Sequence, residues 1–405
     1  MKPPRILFAW EMGENFGHVS KIAETAKALQ GKAELWVAVR NPVAFRQIAR
    51  QLDVKLMVAP AAPPHGAIAP DDAGRSYPDA LRHVGWATPQ DLAPLVEAWR
   101  NLFALVSPDL LVVQAAPTAL LAARGLGLKT AMIGSGYDAP PRAHPMSSFY
   151  HWDPQLRAPP IEREAEVLAA ANAVLSDFAA PALGRFCDLL DTDAYLLATF
   201  AEIDHYAPRD AIEPGHPAYL GQLITTDKGA ELDWRDDAKY RILAYLRPTG
   251  RPFEAGAKAL ERLDRSFDVI LACPGAPPGM AERLATSAVR LVDGPVRLDR
   301  LIMDCDLGIS HASNGIAAAF VMAGVPQIGL PNHAEQIMVA QALGRSRLGL
   351  GLAGQYGVNE VSKTIETVLS SDALRSSAAE ARRRLTATYP KGPAPALAAA
   401  LLNLV

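Results

Sequence analysis

Residues 305–315 read Cys-Asp-Leu-Gly-Ile-Ser-His-Ala-Ser-Asn-Gly. An apolar run ends at Ser310, small residues follow, and a helix begins near Gly315. Small residues let a ligand approach the backbone. The first turn of a helix offers unpaired N–H groups and a partial positive charge. Together these suit an anion, a diphosphate in particular. His311 can donate a hydrogen bond or a proton to the same group, beside Ser313, Asn314 and the amide of Gly315. The plain alternative is a strand-to-helix turn capped by Asn314. Downstream, Glu335 and Gln336 open the next helix. A carboxylate beside an amide suits a pair of sugar hydroxyls, one group accepting and the other donating and accepting. The alternative there is a helix-opening glutamate favoured by the helix dipole.

These residues need a scaffold, and the chain supplies a repeating one. Strands are expected over 5–10, 34–39, 54–58, 109–113 and 130–133, with helices over 18–29, 92–106 and 118–126. Helices over 161–173 and 177–190 follow. After a segment at 207–217 with three prolines, a second series begins. Its strands lie at 242–246, 269–272, 289–291, 307–310 and 327–330. Its helices lie at 253–263, 315–322, 335–343, 360–370 and 373–388. Short apolar strands alternating with helices imply parallel sheets with right-handed crossovers. Open sheets of this kind bind ligands at the carboxyl ends of their strands.

The 405 residues suit two domains. Half are hydrophobic and a fifth charged, which excludes a disordered or disulfide-scaffold chain. A net charge of −3 argues against a nucleic-acid or anionic-membrane surface. Cys187, Cys273 and Cys305 are widely spaced and lie in apolar runs, so they read as buried thiols. No stretch is long enough to span a bilayer, and the first apolar run is too short for a signal peptide. The expectation is a soluble, cytoplasmic protein with no integral membrane segment and no nucleic-acid partner.

The run from about 290 to 345 resembles the donor-binding half of the GT-B glycosyltransferases that use nucleotide sugars. The nearest branch is the UDP-glycosyltransferases and the bacterial macrolide and glycolipid glycosyltransferases. The matching pieces are Cys305-Asp306, His311, Gly315, Gly324-Val325-Pro326, and Pro331 followed by Glu335-Gln336. In the amino-terminal half, Gly17-His18-Val19 is similar to the family's Gly-His loop. The segment Thr199 to Tyr206 is similar to the family's entry to the linker.

The resemblance implies an α/β GT-B fold with two Rossmann-like domains facing across a cleft. An acceptor-binding domain over 1–210, a linker over 211–220 and a donor-binding domain over 221–388 are expected. A tail or helix over 389–405 would pack back on the first domain. It implies a glycosyltransferase that moves a hexose, with inversion and without metal or other cofactor, from a UDP- or dTDP-type sugar. The acceptor would be a small molecule, lipid or peptide held by the loops at 59–79 and 134–160. Those loops carry Tyr77, Tyr137, Phe149, Tyr150 and Trp152. His18 would take the acceptor proton, its imidazole kept neutral by the dipole of the first helix. A capping or ligand-binding role without proton transfer is the alternative.

Departures from the pattern matter. The family's aspartate that orients the histidine, expected after Pro108-Asp109, is replaced by Gln114. A neutral amide fixes a tautomer but stabilises an imidazolium less. Glu11 and Glu14 are substitute candidates, and Asp109 a further helper. Arg247, after the first strand of the second half, is placed either to neutralise the leaving diphosphate or to make a structural ion pair. The base-reading segment is expected around Val296. Asp191-Thr192-Asp193 and Asp304-Cys305-Asp306 fit a metal motif but lie away from the phosphate turn. Two other readings stay open: a non-catalytic nucleotide-sugar-binding auxiliary protein, and a nucleotide-sugar epimerase.

Overall fold

The computed structural model describes residues 2–13, 16–62, 74–224, 226 and 229–405. The chain forms two compact units. One comprises 1–199, 208–223 and 391–405, and the other comprises 200–207 and 224–390. The first holds β1 (Arg5–Trp10), α1 (Phe16–Leu29), β2 (Glu34–Val39), α2 (Pro42–Ile48), β3 (Lys55–Val58) and α3 (Tyr77–Leu81). It continues with α4 (Pro89–Val106), β4 (Leu110–Val113), α5 (Pro117–Ala123), β5 (Lys129–Gly134), α6 (Ile161–Asp177) and β6 (Ala194–Leu197).

The second unit runs β7 (Tyr240–Tyr245), α7 (Gly250–Glu261), β8 (Phe267–Ala272), α8 (Met280–Leu284), β9 (Val289–Val292) and α9 (Leu298–Leu301). Then come β10 (Leu307–Ser310), α10 (Asn314–Ala323), β11 (Gln327–Gly329), α11 (Ala334–Arg345), β12 (Gly349–Gly351), α12 (Val358–Ser370) and α13 (Asp372–Thr388). The last helix, α14 (Ala394–Leu402), returns to the first unit.

Each unit is built on a parallel six-stranded sheet. The orders are β3-β2-β1-β4-β5-β6 and β12-β11-β10-β7-β8-β9. Counted from its own first strand, each has the doubly wound order, with the direction of winding reversing between β1 and β4 and between β7 and β10. The central strands are apolar without alternation because both faces are covered. Ile6, Phe8 and Trp10 pack with Val19, Ile22 and Ala26 of α1 and with Leu397 and Leu401 of α14. In the second unit, Ile242 and Ala244 face a core with Val361 and Ile365, whereas Leu243 and Ile270 face Phe320 and Leu301. Gly308 is glycine for a packing reason, since a Cβ there would lie 2.6 Å from the Phe320 ring.

Several expectations change. The helix expected over 177–190 is absent. α6 stops at Asp177, Ala179 is left-handed at φ 51°, and only a 3-10 turn forms at Phe186–Leu190. Pro181 restricts the residue before it and cannot donate a helical hydrogen bond. Residues 200–207, expected in the first domain, belong to the second unit. Phe200 and Ile203 are buried there with Ala317, Val321, Val339 and Leu343. Residues 211–220, expected as a linker, cluster with the first unit. There Arg209 is buried, donating to Glu213 and to the Ala139 carbonyl. α2 and β12 are elements the apolar pattern did not reveal.

The three cysteines are free and buried. Among the described residues, no helix is long and apolar enough to cross a membrane.

Candidate active site

In the first unit, α1 leaves the carboxyl end of β1, and His18 falls in its first turn. Gln114 follows β4, the strand beside β1 at the reversal of winding. The fold therefore brings two sequence-distant residues together. His18 Nδ1 lies 2.8 Å from Gln114 Oε1. The His18 ring stacks on Trp10, centroids 5.7 Å apart. Gly13 sits at φ +83°, and a Cβ there would lie 2.4 Å from His18 Nε2. Only glycine leaves that ring nitrogen its place.

Behind Gln114 stands a carboxylate that sequence reading missed. Asp138, in the loop after β5, accepts a hydrogen bond from Gln114 Nε2 at its Oδ2. Its Oδ1 accepts from Ser135 N (2.6 Å) and Ser135 Oγ (2.9 Å). Lys21, one helical turn beyond His18, places Nζ 3.5 Å from Asp138 Oδ2 and 3.1 Å from Ser135 Oγ. Burial pushes the Asp138 carboxyl up, but the Lys21 ammonium, His18 and the Ser135 hydrogen bonds outweigh it and hold it down at about 2. Nothing in the sequence spacing ties position 138 to 114. Their meeting depends on β4 and β5 being neighbours in the sheet.

The other helpers fall elsewhere. Asp109 lies at the amino end of β4, where its Oδ2 accepts from Arg5 N at 2.7 Å. Five residue steps along β4 separate it from Gln114, about 16 Å at 3.3 Å per residue, so it does not serve His18. Glu11 is buried with Oε1 accepting from Thr118 N (2.6 Å) and Oε2 from Trp99 Nε1 (2.8 Å). It ties β1 to α4 and α5. Burial raises its pKa to about 7, against the pull of those donors. Glu14 lies outside the described residues. Of the aromatic residues, Tyr77 and Phe149 are buried, and the Tyr137 and Phe149 rings are 4.8 Å apart.

In the second unit, the reversal between β7 and β10 brings Arg247 to His311. The His311 ring is buried. Its Nε2 lies 3.0 Å from Arg247 N and 3.1 Å from Arg247 O, and its Nδ1 lies 2.7 Å from Leu330 O and 3.0 Å from Asn332 Nδ2. Burial lowers its pKa, against the pull of the Leu330 and Arg247 carbonyls. Each nitrogen meets main-chain groups, so His311 braces the ends of β7 and β11 and is not aimed outward. Ala312 takes the left-handed conformation at φ 59° and donates its N–H to Ser310 Oγ at 3.0 Å. Ser313 is the N-cap of α10, without a side-chain cap hydrogen bond. The Asn314 side chain is buried, its Nδ2 donating to Ile203 O at 3.3 Å. What the turn offers an anion is thus the amides of α10's first turn, beside the exposed Arg247.

Glu335 and Gln336 open α11. Gln336 Oε1 accepts from Asn332 N at 2.8 Å. Glu335 Oε1 lies 3.4 Å from Nε2 of the fully buried His205, and its Oε2 lies 3.9 Å from His333 Nδ1. His205 is a second residue sequence reading passed over, because it is supplied by the 200–207 segment. Val296 is buried in the apolar core, and its neighbours Pro295 O and Arg297 N pair with Ala230. Asp193 is held by Lys129 and Thr130, and Asp306 accepts from Arg241 N. Among the described residues, no group of three His, Cys, Asp or Glu is arranged to hold a metal ion.

No protein-family model and no curated protein matches the chain. Solved structures do. The calicheamicin glycosyltransferase CalG4 is 17% identical with a TM-score of 0.75, over all of this chain and 98% of that one. The glycosyltransferase SnogD from Streptomyces nogalater is 18% identical with a TM-score of 0.69, over the whole of both chains. The spinosyn rhamnosyltransferase SpnG complexed with thymidine diphosphate is 16% identical with a TM-score of 0.64, over 98% of this chain and all of that one. At such identities the likeness is one of fold. The chain has the GT-B glycosyltransferase fold, with two Rossmann-like domains.

Proposed function

We propose that the protein transfers a sugar from a nucleoside diphosphate sugar to an acceptor hydroxyl, with inversion. The observation that carries this reading is the His18–Gln114 contact, which puts a basic histidine at the winding reversal of a GT-B amino-terminal domain. His18 Nε2 takes the acceptor proton as the acceptor oxygen bonds to the anomeric carbon. The bond from that carbon to the diphosphate oxygen breaks, and its electron pair leaves with the diphosphate. The amides of Ser313, Asn314 and Gly315, with Arg247, stabilise the leaving group, and His311 holds their turn in shape. Glu335 and Gln336 hold sugar hydroxyls, and the backbone around Val296 lies against the base. The helix terminus and the guanidinium carry the leaving charge, so we expect turnover to survive chelation of divalent metal. The SpnG structure with thymidine diphosphate supports a dTDP-type donor, with UDP as the alternative.

Gln114, in place of an aspartate, favours a second reading, a nucleotide-sugar-binding auxiliary protein. One experiment separates the two. UDP, dTDP and GDP sugars are titrated by calorimetry without metal, then incubated with protein and a panel of hydroxyl acceptors. Binding that is lost in Glu335→Ala and His311→Ala, with transfer abolished in His18→Ala, is the expected result. Binding with neither transfer nor slow donor hydrolysis would favour the auxiliary protein. A changed sugar without acceptor consumption would indicate an epimerase. No binding at all would sink the donor assignment.

A further inference from the structure

We propose that Asp138 is a positioning residue that sets the direction of a hydrogen-bond chain, Asp138–Gln114–His18, and so determines which nitrogen of His18 is the base. The inference rests on the reading of His18 as the acceptor base, but its test does not need sugar transfer. Gln114 differs from an aspartate in having two ends, one accepting and one donating. A free amide in its place could face His18 with either end. With Oε1 toward Nδ1, the Nδ1 proton stays and Nε2 is basic. With the NH2 group toward Nδ1, the proton moves to Nε2 and the base is lost.

Asp138 removes the ambiguity. An ionised carboxylate only accepts, so the amide must turn its NH2 to Asp138 and its Oε1 to His18 Nδ1. Lys21 keeps that carboxylate charged from 3.5 Å. Ser135 fixes its orientation, because the Ser135 N–H and O–H both bind Oδ1 and leave Oδ2 to face Gln114. The loop carrying Asp138 is itself braced. Arg209, 2% exposed, donates to the Ala139 carbonyl at 2.8 Å and to Glu213 at 3.1 Å. Arg142 binds the other oxygen of Glu213 at 2.9 Å.

The arrangement makes a sharp prediction for Asp138→Asn. The two short Ser135 hydrogen bonds hold the oxygen on their own side against the single longer Lys21 contact on the other, so the new NH2 group faces Gln114. Gln114 must then turn its Oε1 toward position 138 and its NH2 toward His18. The chain reverses, and the proton of neutral His18 moves to Nε2. Adding Gln114→Glu restores an acceptor toward both neighbours and returns the proton to Nδ1.

The test is 15N NMR of histidine-labelled protein, with His18→Gln used to assign the signal. The wild type is expected to show Nδ1 protonated and Nε2 unprotonated, Asp138→Asn the reverse, and the double variant the wild-type pattern. If transfer is established, turnover should fall about 100-fold or more in Asp138→Asn, as for loss of a general base. The donor KM should be unchanged, and most of the turnover should return in the double variant. An Asp138→Asn protein that folds, by its unchanged circular dichroism, and keeps the wild-type tautomer overturns the proposal. So does a wild type protonated on Nε2. Tautomers that behave as predicted in a protein without transfer would leave the chain of hydrogen bonds intact and sink only the glycosyltransferase reading.

Discussion

His18 draws its chemistry from small residues and buried charges around it. Gly13 is the narrowest constraint, combining positive φ with a Cβ path onto Nε2. Gly13→Ala should cost about 1 kcal/mol of stability from the left-handed backbone and displace the imidazole. Under the proposed function, turnover should then drop at least about 10-fold, which steady-state kinetics and a thermal melt will separate. Glu11 supplies a pH signature. Its folded pKa of about 7 lies above the ordinary value of 4.5. The folded state therefore holds the proton more tightly. The stability this contributes is fully present below about pH 4.5 and is lost as pH rises through 7, a change on the order of 3 kcal/mol. Asp138 has the opposite sign, contributing stability above about pH 4 and losing it toward pH 2. Denaturant melts of wild type and Glu11→Gln from pH 5 to 8 should show the variant gaining relative to wild type as pH rises. A constant difference across that range would refute the raised pKa.

Elements decide which residues meet. β1, β4 and β5 are adjacent in one sheet, so the segments that follow them bring His18, Gln114 and Asp138 together. β7, β10 and β11 do the same for Arg247, His311 and Leu330. The repeated apolar runs make these strands legible in the sequence, and the strand starts of β1, β2 and β10 fall where the pattern puts them. β12 is not legible because Gly349-Leu350-Gly351 is short and flanked by glycine, which reads as a turn. α14 is legible only as a tail or helix over 389–405 expected to return to the first domain. Its Ala-Leu composition is apolar without a clear stripe, so the partner it meets there is not implied. That partner is α1 and the core of β1. Leu401→Ala should therefore cost about 2–5 kcal/mol, measured by urea unfolding. A cost under about 0.5 kcal/mol would mean that α14 is a frayed tail.

For the molecule as a whole, the proposed donor site makes a spatially restricted prediction. Saturation with the preferred nucleoside diphosphate sugar should slow amide exchange at 311–315 and 335–336 in the second unit and stabilise the protein by about 2.7 kcal/mol at a hundred times Kd. Protection spread evenly over the sheet would argue for unspecific stabilisation. Much of this architecture is local information. Apolar runs bounded by Gly and Pro mark the strands, and the run from Cys305 to Gln336 carries its resemblance in order and spacing. Those signals survive because they rest on near-neighbour sterics and on burial that any parallel sheet requires. Tertiary structure alone decided the carboxylate behind His18. A family-like aspartate is missing at 114, and its replacement comes from another loop at 138 through the sheet order. It also turned His311 onto the main chain, put His205 against Glu335, and sent residues 200–207 and 391–405 to units away from their sequence neighbours. Hydrogen-bond direction and long-range packing depend on which chain segments become adjacent, and spacing along the chain does not encode that.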